Sequence, residues 1–327
     1  MTKNILDHNR ENPQDQIKFP TGITLHKWLV AMVKPECPWY YEVSKCAPQY
    51  ALRQLSEAWK QAFKKTKKPP KFKKKGQSDS YTVDGSLKIA HFRVKVPVIG
   101  WLKTYELLPV DTVPKSFTIS RTADRWFISW KIEVESTNLP KIVEVVGVDL
   151  GIKTLATLST GEFFDGAKSY RKYEKKLSRL QWLNRHKIPG SNNWKKTQIK
   201  IARLHRKIAN IRSYTLHKLT TYLAKKHGKI GIENLNVSGM IANHKLAKAI
   251  ADMGFYEFRR QLEYKCQLYG SQLVVVDRWF PSSKTCSGCR IKKETLLLSQ
   301  RVFRCDCCGL EIDRDLNAAI NLQRTVS

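Results

Sequence analysis

The amino-acid sequence predicts a mixed α/β domain in its second half, preceded by a helical segment and an antiparallel β module. Near its end this domain is interrupted by a ribbon that carries four paired cysteines. Three observations support the prediction. Hydrophobic runs that end in an acidic residue recur after residue 142, two Cys-x-x-Cys pairs follow, and polar and apolar residues alternate through much of 78–136. A chain of 327 residues can form one large domain or a few smaller ones.

The composition is strongly basic, with 59 Lys and Arg against 28 Asp and Glu and a formal net charge of +31. A compact protein with this charge repels itself, and a polyanion such as nucleic acid relieves the repulsion by releasing its counterions to lysine and arginine. A merely soluble basic protein and a protein bound to an anionic membrane surface are the alternatives. The sequence shows no lipidation motif, however, and its basic residues are spread along the whole chain.

The apolar runs are too short for a membrane-spanning helix, which needs about 18 or more apolar residues. The N-terminus is polar from its first residues and lacks the apolar centre of a signal peptide. We therefore expect a cytoplasmic protein with no membrane partner.

Residues 1–66 are predicted to be partly helical, because apolar residues recur at helical spacing up to Phe63. The segment 60–76 then contains nine lysines, and two adjacent prolines prevent a helix there. One interpretation is a solvated linker. We favour a loop that follows nucleic-acid phosphates, because Phe63 and Phe72 are interleaved with the lysines. The candidate contacts are Lys64, Lys65, Lys71, Lys73, Lys74 and Lys75.

Residues 67–138 are predicted to form the antiparallel β module. Two alternating stretches, SLKIAHFRVKVPVIGW and SFTISRTADRWFISWKIEVE, supply its strands, and the second contains a turn at Thr122–Asp124. Asn138–Pro140 mark its boundary.

Residues 139–280 and 311–327 are predicted to form the mixed α/β domain. Its elements are a β-branched strand to Asp149, a second strand with a turn at Ser159–Gly161, a basic helical region at 168–228 broken near Ile188–Asn193, a buried strand to Glu233, a helix at 244–268, a strand QLVVV and a short C-terminal helix.

Acidic residues stand where the hydrophobic segments of this domain end. Asp149 ends VVGVD, Glu233 ends IGIE, and Asp315 opens the helix DLNAAINL. If they converge at one edge of a sheet, they repel one another unless cations neutralise them. The alternative for each residue alone is a role in a turn or a helix cap. Asp277 ends a further run and is assigned a supporting role, whereas Asp313 is expected to point away from the site.

Three such carboxylates suit two Mg²⁺ ions about 4 Å apart. Carboxylate oxygens are hard ligands, and the scissile phosphate of a nucleic acid would complete the coordination. The ions would activate a water and stabilise the leaving 3′ oxygen. No paired cysteine or histidine nucleophile is evident, so the sequence predicts a Mg²⁺-dependent nuclease.

Two Cys-x-x-Cys pairs, fifteen residues apart, predict a zinc ribbon at 281–310. Gly288 and Gly309 are expected to supply the turn geometry, and the segment between the pairs is expected to form a short hairpin. Four thiolates leave no open position on the ion, so the Zn²⁺ is expected to be structural. The predicted ligands are Cys286, Cys289, Cys305 and Cys308.

As a set, the motifs GVDLGIKTLATLSTGE, IGIENL, DRWFPSSKTCSGC and CDCCGLEIDRDLNAAINL resemble the TnpB family, the transposon-encoded RuvC-like nucleases ancestral to type V CRISPR effectors. The resemblance spans about residues 45–325. It implies an RNase H-like (RuvC) domain with an inserted zinc ribbon, a wedge-like β module at 67–138 and a recognition-like helical segment at 1–66. The family usually opens with a strand and an Arg-rich helix, so we expect this recognition segment to be short at its N-terminus.

The resemblance also implies an RNA-guided DNA endonuclease of an insertion sequence. A guide RNA from the transposon end would pair with one strand of a double-stranded DNA target, and the protein would recognise a short flanking motif. By motif match, Asp149, Glu233 and Asp315 become the Mg²⁺-binding RuvC carboxylates, and the four paired cysteines become the zinc ligands. Arg278 and Arg314 flank these residues and are candidates for clamping phosphate.

Two other functions stay open at this level. The first is a guide-RNA-dependent DNA-binding protein that does not cut, as a truncated or decayed copy would be, although all three acidic residues are retained. The second is a DNA transposase or strand transferase, because carboxylate triads of this kind can also join DNA ends. A tyrosine recombinase is disfavoured, since no tyrosine with flanking histidines is evident.

Overall fold

The computed structural model describes residues 2–73, 76, 79–84, 88–108, 114–135, 140–297 and 299–327. The chain divides into two units, Met1–Val134 and Glu135–Ser327, which are treated separately below. Across the described ranges, every helix is either too short or too polar to cross a bilayer. The predicted boundary at Asn138–Pro140 falls largely outside the described residues.

The first unit places helices before strands, as its periodicity predicts. Its helices are α1 (Thr2–Glu11), α2 (Gly22–Trp28), which continues through a π-helical turn (Leu29–Val33) into α3 (Lys34–Glu36), a 3₁₀ turn (Pro38–Tyr41) and α4 (Cys46–Phe63). Its strands are β1 (Ser80–Asp84), β2 (Lys88–Ala90), β3 (Arg93–Val96), β4 (Gly100–Lys103), β5 (Ser116–Thr122) and β6 (Arg125–Lys131).

These strands form two antiparallel sheets, β1–β5–β6 and β2–β3–β4. The turn between β5 and β6 lies where the sequence predicts it, and Ala123 takes the left-handed conformation there (φ 58°). Buried side chains from both sheets and from the start of α4 share one core, which includes Cys46, Val83, Val94 and Phe117.

The second unit is a mixed α/β fold built around a five-stranded sheet. Its strands are β7 (Val143–Leu150), β8 (Ala156–Leu158), β9 (Phe163–Phe164), β10 (His227–Glu233), β11 (Gln272–Val276), β12 (Val302–Arg304) and β13 (Glu311–Asp313). Its helices are α5 (Ser169–Arg185), α6 (Asn192–Lys226), α7 (Val237–Ala242), α8 (Ala247–Met253), α9 (Phe255–Tyr269) and α10 (Arg314–Val326). The sheet order is β11-β10-β7-β8-β9, with β7, β10 and β11 parallel and β8 and β9 antiparallel.

The two faces of this sheet are covered by different helices. Alternate side chains of β7 and β10, such as Val148 and Ile232, join a core with buried residues of α6 and α9. The other alternation places Val145 of β7 and Val276 of β11 against Leu322 and the end of α10. Because strand side chains alternate between faces, each strand residue is assigned to one of these two layers by its position.

The basic hairpin of α5 and α6 is held by buried groups. Lys168, just before α5, is left-handed and provides no side-chain cap, so the buried carboxylate of Asp252 replaces it. This carboxylate accepts hydrogen bonds from the backbone N–H groups of Tyr170 (2.8 Å) and Arg171 (3.2 Å), satisfying part of the helix N-terminus. The apolar stripe of α6 is buried, as predicted, at positions such as Leu204. The lysines and arginines of α6 occupy its other faces.

The predicted helix at 244–268 is in fact two helices, α8 and α9. Gly254 separates them because it adopts a left-handed conformation (φ 74°), which ends α8 just before α9 begins. The hydrophobic pattern continues across this break, so periodicity alone did not reveal it.

His227 at the start of β10 gives the second unit a pH-dependent stability. Its ring is fully buried, its Nδ1 lies 3.1 Å from the carbonyl oxygen of Leu223, and it packs edge-on against Tyr222. Burial lowers the pKa of His227 below its usual 6.5, and the charges of Lys226 and Lys141 lower it further. As the pH falls through about 6.5, the unfolded chain takes up this proton first, so the folded state loses stability on the acid side.

We expect the stability difference between the wild type and His227→Phe to change between about pH 7.5 and pH 5.5, in favour of the variant at low pH. Urea denaturation at several pH values measures this difference. His205, which is exposed on α6, offers the control His205→Gln. A wild-type–variant difference that is the same at all pH values would contradict the prediction.

Candidate active site at the carboxyl ends of the parallel strands

Two of the predicted acidic residues end neighbouring parallel strands. The register pairs Val148 of β7 with Ile232 of β10, and the next residues along are Asp149 and Glu233. Neighbouring strands lie about 5 Å apart, so these two residues occupy adjacent positions at one edge of the sheet. By alternation, both side chains project to the same face as Gly147, which is the face covered by α10.

The third predicted residue lies in the first turn of α10. Asp313 caps this helix, because its carboxylate accepts hydrogen bonds from the backbone N–H groups of Asp315 (2.9 Å) and Leu316 (3.0 Å). Asp313 is therefore the cap of α10, and its negative charge also contributes to the raised pKa of Asp149. The carboxylate of Asp315 is 19% exposed and lies 3.5 Å from Nε of Arg314.

The three carboxylates interact electrostatically. Burial, together with the negative charges of Asp315 and Glu233, raises the pKa of Asp149 to about 7, while the positive charge of Arg314 opposes this effect. Burial also raises the pKa of Glu233. Repulsion of this kind between neighbouring carboxylates is relieved when cations bind to them.

Two glycines allow α10 to approach the sheet closely. A Cβ atom on Gly147 would lie 2.0 Å from the backbone oxygen of Ala319 and 2.4 Å from the backbone nitrogen of Gln323. A Cβ atom on Gly231 would lie 2.9 Å from a methyl group of Val326. Sequence patterns did not identify these glycines as functional. The signal available was a glycine inside each of two buried strands, which often marks a close backbone approach.

Gly147→Ala is expected to destabilise the second unit and to slow any reaction that needs Asp315, because the added methyl group clashes with backbone atoms of α10. Overpacking of this kind costs about 1–3 kcal/mol or more. Gly231→Ala should have a smaller effect, because its nearest contact is the end of a side chain in the last turn of α10. Urea denaturation of both variants measures the order, and equal or reversed effects would contradict the packing argument.

The four predicted zinc ligands form a compact cluster. The sulfur atoms of Cys286, Cys289, Cys305 and Cys308 all lie within 4.8 Å of one another. Backbone N–H groups of Cys308 and Cys307 lower the pKa of Cys305 to about 6, which favours the thiolate. Four thiols at this spacing fit a tetrahedral Zn²⁺ site. Among the described residues, these four cysteines form a tight group of metal-ligand side chains.

Two details of the ribbon differ from the prediction. Gly309 is left-handed (φ 70°), but the matching position after the first pair is Arg290 (φ 67°), so Gly288 does not play this role. Gly288 instead lies where a Cβ atom would be 3.4 Å from Sγ of Cys308. The segment between the pairs does not fold back on itself as a hairpin within its described residues. Its last part, β12, pairs with β13 beyond the second pair.

Two buried asparagines of α10 join the ribbon to the carboxylate site. The side chain of Asn317 accepts a hydrogen bond from the N–H of Ser287 (2.9 Å) and donates one to the carbonyl of Thr285 (2.8 Å). Asn321, one turn later, donates to the carbonyls of Ser282 (2.8 Å) and Thr285 (2.6 Å). The backbone on both sides of Cys286 is therefore fixed to the helix that carries Asp315. The sequence analysis missed both asparagines, although their i, i+4 spacing in a helix was visible.

The other predicted residues lie at the surface. Arg278 is exposed in the turn after β11, where the carboxylate of Asp277 accepts a hydrogen bond from the N–H of Trp279 (2.8 Å). In the first unit the described members of the lysine group are all exposed: Lys64, Lys65, Lys71 and Lys73. Lys74 and Lys75 lie outside the described residues. The lysine group and the carboxylates belong to different units, so their roles are considered separately.

Comparison with known proteins gives consistent matches over most of the chain. The family model OrfB_IS605, described as "Probable transposase", matches residues 128–244. The model "Cas12f1-like, TNB domain" matches residues 255–322, which include the cysteine cluster.

Two bacterial relatives carry the name "Putative RNA-guided DNA endonuclease". The one from Streptomyces pristinaespiralis is 40% identical over 86% of this chain and 71% of its own length. The other, InsQ from Escherichia coli, is 36% identical over 97% of this chain and 83% of its own length. Among solved structures, a cryo-EM structure of a Cas12f1–sgRNA–target DNA complex matches with a TM-score of 0.42 and 15% identity, covering 98% of this chain and 90% of that one.

Proposed function

Because the chain belongs to the TnpB family, as its similarity over most of its length to two bacterial relatives shows, we propose that it is an RNA-guided DNA endonuclease of an insertion sequence. The substrate is double-stranded DNA, and the guide is an RNA made from the transposon end. The names of both relatives support this function. The net charge of +31 supports polyanionic partners independently of the relatives.

The nuclease domain is assigned an RNase H-like (RuvC) fold in residues 139–280 and 311–327. The sheet order β11-β10-β7-β8-β9 supports it, because the central strand ends near Asp149 and its parallel neighbour ends at Glu233. The zinc ribbon at 281–310 is inserted between β11 and the helix that carries Asp315. In the first unit, residues 1–66 are assigned to recognition and 67–138 to a wedge-like module.

The observation that carries the mechanism is the mutual repulsion of Asp149, Glu233 and Asp315 at one partly buried edge of the sheet. We assign these carboxylates as the ligands of two catalytic Mg²⁺ ions. When bound, the ions would activate a water and stabilise the leaving 3′ oxygen.

The residues around the carboxylates would orient the DNA. Arg314 lies beside Asp315 and offsets part of the effect of the neighbouring negative charges on Asp149, so it would limit repulsion among the carboxylates. Arg278 is exposed near the end of β11 and would contact a phosphate from the solvent side. Both arginines can bind phosphate through paired N–H groups.

Zn²⁺ bound by the four cysteines is assigned a structural role, since a four-thiolate site has no open position.

The test is to purify the full chain and to sequence the RNA that accompanies it. Plasmids that carry a matching target and varied flanking DNA are then incubated with the complex, with Mg²⁺ or with EDTA. Linear plasmid that forms with Mg²⁺ and not with EDTA supports the proposal. Target-dependent binding without cutting would favour a guide-dependent DNA-binding protein, and rejoined ends without ligase would favour a strand transferase.

A further inference from the structure

A groove of about 670 Å³ opens beside Glu233 in the second unit. The segment after β10, helix α7 and one side of α9 form its walls, and the ends of β7 and β10 reach its base. Most of the lining is apolar, from the side chains Leu150, Ile232, Leu235, Val237, Ile241 and Phe255. This volume suits a ligand of about one to two nucleotides and is too small for a duplex.

The polar lining of this groove includes two arginines and two glutamates, Arg259, Arg260, Glu233 and Glu263. Arg259 and Arg260 follow Tyr256 by three and four residues in α9, so all three lie on one face of the helix. All three line the groove. Each arginine forms an ion pair with a glutamate of its own helix, and such exposed pairs contribute little to stability. Arg259 also donates a hydrogen bond to the side chain of Asn234 (2.8 Å), the residue next to Glu233. Arg259 therefore links the groove to the segment that carries Glu233.

Tyr256 is the residue that the catalytic assignment leaves without a role. Its side chain is 71% exposed, although it follows the fully packed Phe255 at the start of α9. An exposed aromatic ring above an apolar floor offers a flat surface on which a nucleobase can stack. Among the nearby polar side chains, Ser238 donates a hydrogen bond to Oδ1 of Asn236 (3.0 Å), which also accepts one from the backbone N–H of Gly239 (3.1 Å).

We propose that this groove binds one unpaired nucleotide of the DNA strand that is being cut, with its base on Tyr256 and its phosphates toward Arg259 and Arg260. The inference rests on the proposed function and extends it to a specific site. A single strand fits because its bases are free to stack, whereas a paired base presents only its edge. Stacking on an aromatic ring beside an apolar surface is sequence-tolerant, so we expect binding that tolerates any base.

The first experiment is single-turnover cleavage of target DNA that carries one abasic nucleotide at successive positions around the cut. For the wild-type RNA complex we expect one position at which the missing base slows cleavage by about ten-fold. Tyr256→Ala should slow cleavage of intact DNA by a similar factor and lose the response to the abasic nucleotide at that position. Tyr256→Phe keeps the ring and should behave as wild type.

Phe163→Ala is the matched control, because Phe163 is an exposed aromatic residue of the same unit and lies outside the groove. It should retain wild-type rates and the wild-type response to abasic DNA. If Tyr256→Ala and the abasic nucleotide act independently, the slowing of cleavage when both are present equals the product of the two separate effects. That result would overturn the proposal, since groups in contact are expected to have non-additive effects. A wild type that responds to no abasic position would also overturn it.

A second readout separates this inference from the proposed function. The Asp149→Asn complex is bound to DNA that carries the fluorescent base 2-aminopurine at each position near the cut. We expect the fluorescence to be quenched at one position in the Asp149→Asn complex and not in the Tyr256→Ala, Asp149→Asn double variant. This result supports nucleotide binding in the groove, even if the wild type shows no cleavage. Cleavage by the wild type without any such Tyr256-dependent quenching would sustain the nuclease and reject the groove.

Discussion

Asp149→Asn is expected to abolish DNA cleavage by the RNA-bound protein while leaving its affinity for RNA and DNA nearly unchanged. The substitution removes a central metal ligand but preserves the shape of the side chain. Metal ions contribute several kcal/mol to such reactions, so cleavage should slow by at least about a thousand-fold. Single-turnover cleavage and filter binding measure the two effects. Retained cleavage would refute the carboxylate assignment, and a parallel loss of binding would point to misfolding.

The same variant should be more stable than the wild type when no divalent ion is present. Asp149 is held beside Glu233 and Asp315, and burial together with these charges raises its pKa to about 7. A neutral amide removes this repulsion. Urea denaturation in EDTA should therefore show a higher midpoint for Asp149→Asn, and Mg²⁺ should stabilise the wild type more than the variant. Glu144→Gln, an exposed position on the same strand, provides the control.

Loss of zinc is expected to abolish cleavage through α10. Cys286→Ser removes one of four ligands, and structural zinc sites supply folding free energy directly. Without the ion, the backbone around Cys286 should no longer hold Asn317 and Asn321, and the first turn of α10 with Asp315 should lose its anchor. Zinc content, hydrogen exchange of residues 281–326 and cleavage should all decrease together.

Cys307→Ser is the matched control for this prediction. Cys307 lies within the second cysteine pair but is exposed and outside the four-sulfur cluster. It should retain zinc, protection from exchange and cleavage. A Cys286→Ser protein that is free of zinc and yet keeps a protected α10 would contradict the proposed link between the ribbon and the carboxylate site.

The positions of the carboxylates were predictable because their signal is local. A buried strand that ends in an acidic residue is visible in a few consecutive letters, as at Asp149 and Glu233, and parallel neighbours then bring such ends together. The cysteine pairs carry an equally local signal. The effect of the carboxylates on one another was not predictable in magnitude, because the raised pKa of Asp149 depends on burial in the folded state.

Features that depend on distant packing escaped the sequence analysis. Gly147 is required by a helix that begins after residue 313, and nothing around Gly147 indicates that partner. Asn317 looks like an ordinary helix residue until Ser287 and Thr285 are placed beside it. Gly254 interrupts a helical pattern without changing its hydrophobic period. Each of these roles follows from contacts between segments far apart in the chain.

The close seat of α10 on the sheet also has a consequence during protein synthesis. The strands β7, β10 and β11 leave the ribosome well before residues 314–326, so the sheet face around Gly147 and Gly231 stays uncovered on the nascent chain. Premature termination within the ribbon would leave that apolar face bare and prone to aggregation. Under the proposed assignment, the carboxylate site would be complete only after translation has delivered Asp315.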